Sequence, residues 1–197
     1  MRTATLIAAA LASVGPALAA GCEGRVPPAA QGRQVVRPAL RFAMDVPPNW
    51  TVHDLSGDVV LEAIAQVPKT GEVPKADQPP AAPADRRAER TRTVVHVLVV
   101  EREDASLDAW AERAVKDSQE LQSGLEVVEK APAALADGRP ALRLVLRNPR
   151  GIEPFLQKML LVMTDSTAYA VIATASASDF RAAEHDIETC FSTFIVW

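Results

Sequence analysis

The chain has 197 residues, with 21 Lys and Arg against 25 Asp and Glu and a formal net charge of −4; that length fits one domain with some tail to spare. Hydrophobic residues make up 48% and charged residues 23%, which excludes a wholly disordered chain and a multi-span membrane protein. Net negative charge with only 5% aromatics argues against a nucleic-acid partner, since that needs a basic face for phosphates and rings on which bases stack.

The N-terminus opens with Met1-Arg2-Thr3, a short region with one fixed positive charge. An apolar run from Leu6 to Ala20 follows, interrupted only by Ser13, Gly15 and Pro16. It ends in the small residues Ala17-Leu18-Ala19-Ala20-Gly21-Cys22. This is the three-part layout of a secretory signal over residues 1–21, and the run is shorter than the roughly 20 apolar residues of a bilayer span. Two cleavage sites are open, with an uncleaved anchor as the remaining outcome. Ala17-Leu18-Ala19 fits the ordinary A-x-A site, and cleavage after Ala19 would leave a soluble exported protein. Ala19-Ala20-Gly21-Cys22 resembles a bacterial lipobox, in which the Cys is lipidated and becomes the new N-terminus; Ala19 stands where a lipobox usually has Leu. Gly21 and the stretch after Cys22 favour the second site. The expectation is a membrane-anchored lipoprotein, acylated at Cys22 and facing the periplasm or the outside.

The cysteines, Cys22 and Cys190, bear on the same choice. If Cys22 is acylated, Cys190 is a lone thiol; if cleavage follows Ala19, the two could pair in an oxidising compartment. Cys190 falls beside core positions of the last helical pattern and is expected to be a small buried hydrophobe. Residues 22–37 are rich in Gly, Pro and Gln without a sustained period, and are expected to be a flexible tether. The folded domain is then 38–197.

Leu40, Phe42, Met44 and Val46 alternate with Ala39, Arg41, Ala43 and Asp45, as a half-buried strand does, and Pro47-Pro48-Asn49 ends it. Trp50-Thr51-Val52 resumes an extended run. Ser56-Gly57-Asp58 is a turn, and Val59 to Gln66 a second strand. Residues 67–91 then carry prolines at 68, 74, 79, 80 and 83 among charges and alanines, and are expected to be a disordered insertion. It is either a solvated loop or an arm that meets a partner through Arg86, Arg87 and Arg90. Thr93 to Glu101, apolar and β-branched nearly throughout, predicts a central strand covered on both faces. Ser106 caps a predicted helix over 107–121, with Leu107, Trp110, Ala111, Ala114, Val115 and Leu121 on one stripe. Gly124 stops it. Strands are predicted over 125–130 and, after the Asp137-Gly138 turn, over 141–147. A hairpin follows, with 154–163 and 167–175 joined at Thr164-Asp165-Ser166; Lys158 and that turn show that the apolar segment 155–175 is no membrane span. The last helix is expected from Asp179, capped by Ser178, with Phe180, Ala183, Ile187, Phe191 and Phe194 on one face.

The order of these pieces resembles a known family. Phe42-Ala43-Met44-Asp45-Val46-Pro47-Pro48-Asn49-Trp50 is similar to the F-x-I-x-x-P-x-x-W opening of PsbP-like domains, and Gly57-Asp58-Val59-Val60-Leu61-Glu62-Ala63 to their next strand. Ser106-Leu107-Asp108-Ala109-Trp110-Ala111 resembles the start of their first helix, and Asp137-Gly138-Arg139-Pro140-Ala141 their G-x-P-A turn. Tyr169-Ala170-Val171-Ile172-Ala173-Thr174-Ala175 with a capped helix after it resembles their closing hairpin and helix. The resemblance covers about residues 38–197 and extends to the Mog/PsbP superfamily with its DcrB-like envelope lipoproteins. It implies an α+β fold, an antiparallel sheet of six to seven strands flanked by two main helices. It also implies a non-enzymatic binding or assembly module. No partner-binding residue carries over, because the matching positions are structural, and fold does not fix function.

His53, His96 and His185 fall in separate elements and form no H-E-x-x-H or C-x-x-C pair. His96, in the central strand, is expected to be a hydrogen-bonded sheet histidine. Glu184-His185-Asp186 with Glu188 has the residue types of a metal site, but such a run is expected to be a solvated helix face. Ser56, His53 and Asp54 are neighbours in sequence, which does not make a triad. Trp50 and Trp110 are expected in the core rather than lining a ligand cleft. No G-x-S-x-G or P-loop is present, so no catalytic, cofactor-binding or metal residue is assigned and the chain is expected not to be an enzyme. Its expected partners are an envelope protein and, through Cys22, the membrane. The competing reading is an envelope hydrolase or metal-dependent enzyme; a pocket gathering His, Asp and Ser would favour it, and a filled core with a shallow apolar groove would favour the binding module.

Overall fold

The computed structural model describes residues 32–65, 93–149 and 154–197. Its centre is a seven-stranded antiparallel sheet in the order β3-β4-β5-β9-β8-β7-β6. These strands are β3 (Trp50–Asp54), β4 (Val59–Ala65), β5 (Val94–Glu101), β6 (Glu126–Ala134), β7 (Pro140–Asn148), β8 (Phe155–Met163) and β9 (Thr167–Ser176). A second sheet, of three strands, has the order β1-β2-β10, with β1 Arg33–Arg37, β2 Phe42–Val46 and β10 Ile195–Val196. The helices are α1 (Leu107–Leu121), α2 (Ala177–Ala182) and α3 (Glu184–Ser192). The expected α+β class and antiparallel sheet are therefore present, with the small sheet as an addition.

Successive strand residues point to opposite faces, and β5, β8 and β9 are apolar on both, so two cores form. Val95, Val97, Leu160, Tyr169, Val171 and Ala173 pack with Phe42, Met44, Ile187, Phe191 and Phe194 from the small sheet and the C-terminal helices. Leu98, Met159, Leu161, Ala170 and Ile172 pack with Trp110 and Ala111 of α1. The molecule is thus three layers: α1, the large sheet, and the small sheet with α2 and α3. Phe194 joins the last two, its ring 5.8 Å from that of Phe42 and 6.2 Å from that of Tyr169, whose hydroxyl donates to the Leu40 carbonyl at 3.1 Å.

Several expectations are corrected here. Residues 33–37, expected within the tether, form β1, paired from Arg33↔Val46 to Arg37↔Phe42; Val35 is buried against Met44, and one inward Val suffices once β2 supplies the ladder. Leu40, expected in a strand, lies in the 3-10 turn Pro38–Leu40, and Arg41 at φ 56° reverses the chain into β2. β6 runs on to Ala134, past the expected end, because β7 pairs with it to Ala134↔Pro140. The tight turn between them is closed by Gly138 at φ 82°, a conformation that favours glycine. The single C-terminal helix is two helices meeting at Ala183. Their cap is Ser176, whose hydroxyl accepts from the Asp179 N–H at 3.1 Å, while Ser178 bonds only the Ser176 hydroxyl at 3.0 Å. On α1, Leu121 is exposed and Ser118 takes a buried place, donating to the Ala114 carbonyl.

Candidate functional site

The first turn of α1 fixes the site. Ser106 caps the helix by accepting from Ala109 N–H at 3.1 Å. Arg102 fastens the segment before it by donating to the carbonyls of Asp104, Ala105 and Thr164. Trp110 is thereby set over the sheet, and beside it opens a narrow cleft of about 40 Å³. Leu98, Met159, Leu161 and Ile172 form its floor, and Trp110, Arg113 and Asp117 its helical wall. Arg113 is held at the rim by Glu103 at 3.2 Å and Asp104 at 2.6 Å. The cleft is apolar inside and charged at its lip, an arrangement that takes an apolar side chain and orients it by polar contacts.

The same face of the sheet carries a buried polar pair: His96, expected within the sheet, and Glu62, which sequence reasoning missed. His96 on β5 stands opposite Glu62 on β4, its Nε2 at 3.1 Å from Glu62 Oε1. His96 is 2% exposed and its Nδ1 has no hydrogen-bond partner. Desolvation lowers its pKa below the ordinary 6.5, against the opposing pull of the Glu62 carboxylate. Nearby, Gln157 donates to Thr174 on the neighbouring strand at 3.4 Å, and both are buried. A sign was available in the sequence: Glu62 stands between Leu61 and Ala63, and Gln157-Lys158 between Leu156 and Met159, each within an apolar strand. On the other face Lys158, also buried within an apolar strand, donates to Glu188 of α3, which Arg143 approaches at 3.4 Å.

No protein-family model and no curated protein matches the chain. Among solved structures, the chain is similar to the PsbP protein of Synechocystis sp. PCC 6803, with a TM-score of 0.58 and 13% identity over 90% of this chain and 98% of that one. It is also similar to LpqN, involved in cell envelope biogenesis of Mycobacterium tuberculosis, with a TM-score of 0.52 and 12% identity over 84% of each chain. The chain has a PsbP-like fold. At these identities the likeness is one of architecture.

Within this PsbP-like fold the candidate residues are dispersed. His53 is exposed on β3, His96 is buried in β5 and His185 is exposed on α3. His96 is the hydrogen-bonded sheet histidine the sequence predicts. Asp54, the neighbour of His53, is engaged by the guanidinium of Arg37 at 2.9 Å, and Ser56 lies in the exposed turn after it. The run Glu184-His185-Asp186 with Glu188 is only half a solvated face. Asp186 accepts from Trp50 Nε1 at 3.1 Å, and Glu188 turns to Lys158 and Arg143. The cause is α3 packing its acidic edge over two buried donors of the sheet. Among the described residues no three His, Cys, Asp or Glu side chains form a group able to hold a metal ion. Trp50 and Trp110 are both core residues, each 5% exposed, and Trp110 also walls the cleft. Cys190 is a buried free thiol; burial, with the carboxylates of Asp186 and Asp45 near it, pushes its pKa up to about 12. Cys22 and the arm residues Arg86, Arg87 and Arg90 lie outside the described residues.

Proposed function

We propose that this chain is an exported module of the bacterial envelope, lipid-anchored at Cys22, that binds or assembles a protein partner and performs no chemistry of its own. The observation that carries the reading is the character of the cleft under α1: a shallow apolar slot floored by Leu98, Met159, Leu161 and Ile172, with charge only at the Arg113–Asp117 lip. Such a slot recognises one apolar anchor of a partner. It offers no nucleophile beside a base, which hydrolytic chemistry requires. Among the described residues the His–carboxylate pair is His96–Glu62, and at 2% exposure its imidazole is sealed from a substrate. The signal-like segment 1–21, the lipobox-like Ala19-Ala20-Gly21-Cys22 and a fold like that of an envelope-biogenesis protein support the compartment. The acyl chains at Cys22 would be the anchor; each buried methylene contributes about 0.8 kcal/mol.

The test is capture of partners by the intact protein from detergent-solubilised membranes, beside a Val100→Asp variant. Val100 lines the cleft and is half-buried, so a carboxylate there spoils an apolar slot at small cost to the fold. The expected result is a partner held by the native protein and lost from the variant at unchanged melting temperature. A measurable turnover abolished by Asp117→Asn, with stability unchanged, would instead establish an enzyme.

A further inference from the structure

The lip of the cleft under α1 carries a charge imbalance that its apolar floor does not explain. Trp110, Arg113, Ala114 and Asp117 follow one another at helical spacing along the wall, so Arg113 and Asp117 stand about one turn apart on the same stripe. They do not pair. Arg113 turns instead to the segment before the helix, where Glu103 lies at 3.2 Å and Asp104 at 2.6 Å. A cation placed N-terminal to its carboxylate is the weaker order of such a helical pair, and here two other carboxylates compete for it. The next cation of α1, Lys116, lies 3.9 Å from Glu120. Asp117 is half-buried and has no ion-pair partner among the described residues. Glu103, Asp104 and Asp117 therefore stand against the one guanidinium of Arg113. The cleft also sets a size limit. Its floor is nearly closed, with Leu98 6% and Met159 1% exposed. The free space is about 40 Å³, whereas a cavity of about 150 Å³ holds a benzene ring.

We propose that the cleft receives a protein segment in which an aliphatic side chain stands next to a Lys or Arg. The aliphatic end enters between Trp110 and the sheet, and the cation meets Asp117. The proposal rests on the reading of the cleft as a partner site and narrows it to one class of segment. Charge complementarity selects the class. An acidic neighbour of the anchor would be set against Asp117, and Arg113 is not free to attract it, because Glu103 and Asp104 already hold that guanidinium. A basic neighbour supplies the counter-charge that α1 itself does not give to Asp117. Half-burial keeps such a pair less screened by salt than one in open solvent. Volume selects the anchor. The space admits the end of a Leu, Ile, Val or Met side chain and is too small for a ring.

The test uses the intact protein and a panel of short synthetic peptides of equal length, each with a central Leu, Phe or Ser flanked by Lys, Gln or Glu. Binding is read from the fluorescence anisotropy of the labelled peptides. The Leu peptide flanked by Lys is expected to bind most tightly, and replacing its Leu by Phe or Ser, or its Lys by Glu, to weaken it. Asp117→Asn is expected to weaken the Lys-flanked Leu peptide about threefold and to leave the Gln-flanked one unchanged. Asp117→Lys is expected to reverse the order, so that the Glu-flanked Leu peptide binds better than the Lys-flanked one. Melting temperatures are measured beside each variant and are expected to be unchanged. Leu peptides that bind equally whatever flanks them, or that keep their order in Asp117→Lys, overturn the charge selection and leave the cleft standing as an apolar slot. Phe bound as tightly as Leu overturns the size limit. Binding that survives Val100→Asp places the peptides outside the cleft and overturns the proposal. If no peptide binds, the proposal falls; the partner site itself falls with it only if capture from membranes is also unaffected by Val100→Asp.

Discussion

His96 sits in the middle of β5 with one ring nitrogen on Glu62 and the other unpartnered. Burial holds its folded-state pKa below 6.5, so between that lowered value and 6.5 the unfolded chain binds the proton and the folded chain does not. Stability is therefore full above pH 6.5 and is expected to fall as the pH drops below it, by at most about 1.4 kcal/mol per pH unit. The fall levels off once the folded imidazole takes up its proton. Urea unfolding between pH 7.5 and 5 measures this, and His96→Gln is expected to flatten that part of the profile. Trp50 is a second residue whose polar atom matters as much as its bulk. Its indole N–H meets Asp186 at 3.1 Å, so Trp50→Phe keeps most of the packing and leaves a partly buried carboxylate without its donor. The expected loss is about 1–3 kcal/mol by chemical denaturation, with a smaller loss for Asp186→Asn, whose amide oxygen can still accept.

Between elements, the corrected start of α2 gives a clean comparison. Ser176, not Ser178, accepts from the Asp179 N–H. Ser176→Ala is expected to cost about 0.5–2 kcal/mol, and Ser178→Ala less than about 0.5 kcal/mol, both read from urea midpoints. Two residues apart, both serines precede the first apolar position of the pattern, Phe180; the sequence marks a cap there but not which hydroxyl reaches the N–H, because that depends on the angle at which β9 delivers the chain. The free edge of the large sheet is decided at the same scale. β6 is exposed for nearly its whole length, yet it carries Glu126, Glu129, Lys130 and Pro132 and an irregularity in register between Val127 and Glu129. Charge, a missing N–H and a bulge each hinder another strand from pairing there.

For the molecule as a whole, the insertion tests how independent the layers are. Ala65 N–H donates to the Thr93 carbonyl at 2.9 Å, so the chain leaves and rejoins the sheet at one hydrogen-bonded pair. A short Gly/Ser bridge in place of residues 70–90 then needs to span only a hairpin-sized gap. The melting temperature is expected to be nearly unchanged; a drop beyond about 10 °C, several kcal/mol for a chain of this size, would show that the segment contributes packing.

Local pattern was enough for most of the elements. Alternation marked β2 and β4, and the polar turn Thr164-Asp165-Ser166 between two apolar runs marked the hairpin β8–β9. The double-sided apolar run from Thr93 to Glu101 marked a central strand, and the Ser106 cap with the stripe from Leu107 to Ala114 marked α1. Each of these signals is carried by neighbours within a few residues, whose side-chain direction follows from the helical or strand period. The expected placing of Trp50, Trp110, His96 and Cys190 inside the protein holds for the same reason. What depended on residues far apart could be read only from the folded chain. β1 and β10 become strands because β2 lies between them, and Lys158 and Glu62 are buried because Glu188 and His96 come from elsewhere to meet them. The cleft under α1 exists only where β5, far away in sequence, has come to lie beside the β8–β9 hairpin beneath one helix. A strand of five residues with one inward valine, or two residues ending in Trp197, has too little local preference to declare itself; its conformation is set by the ladder it completes.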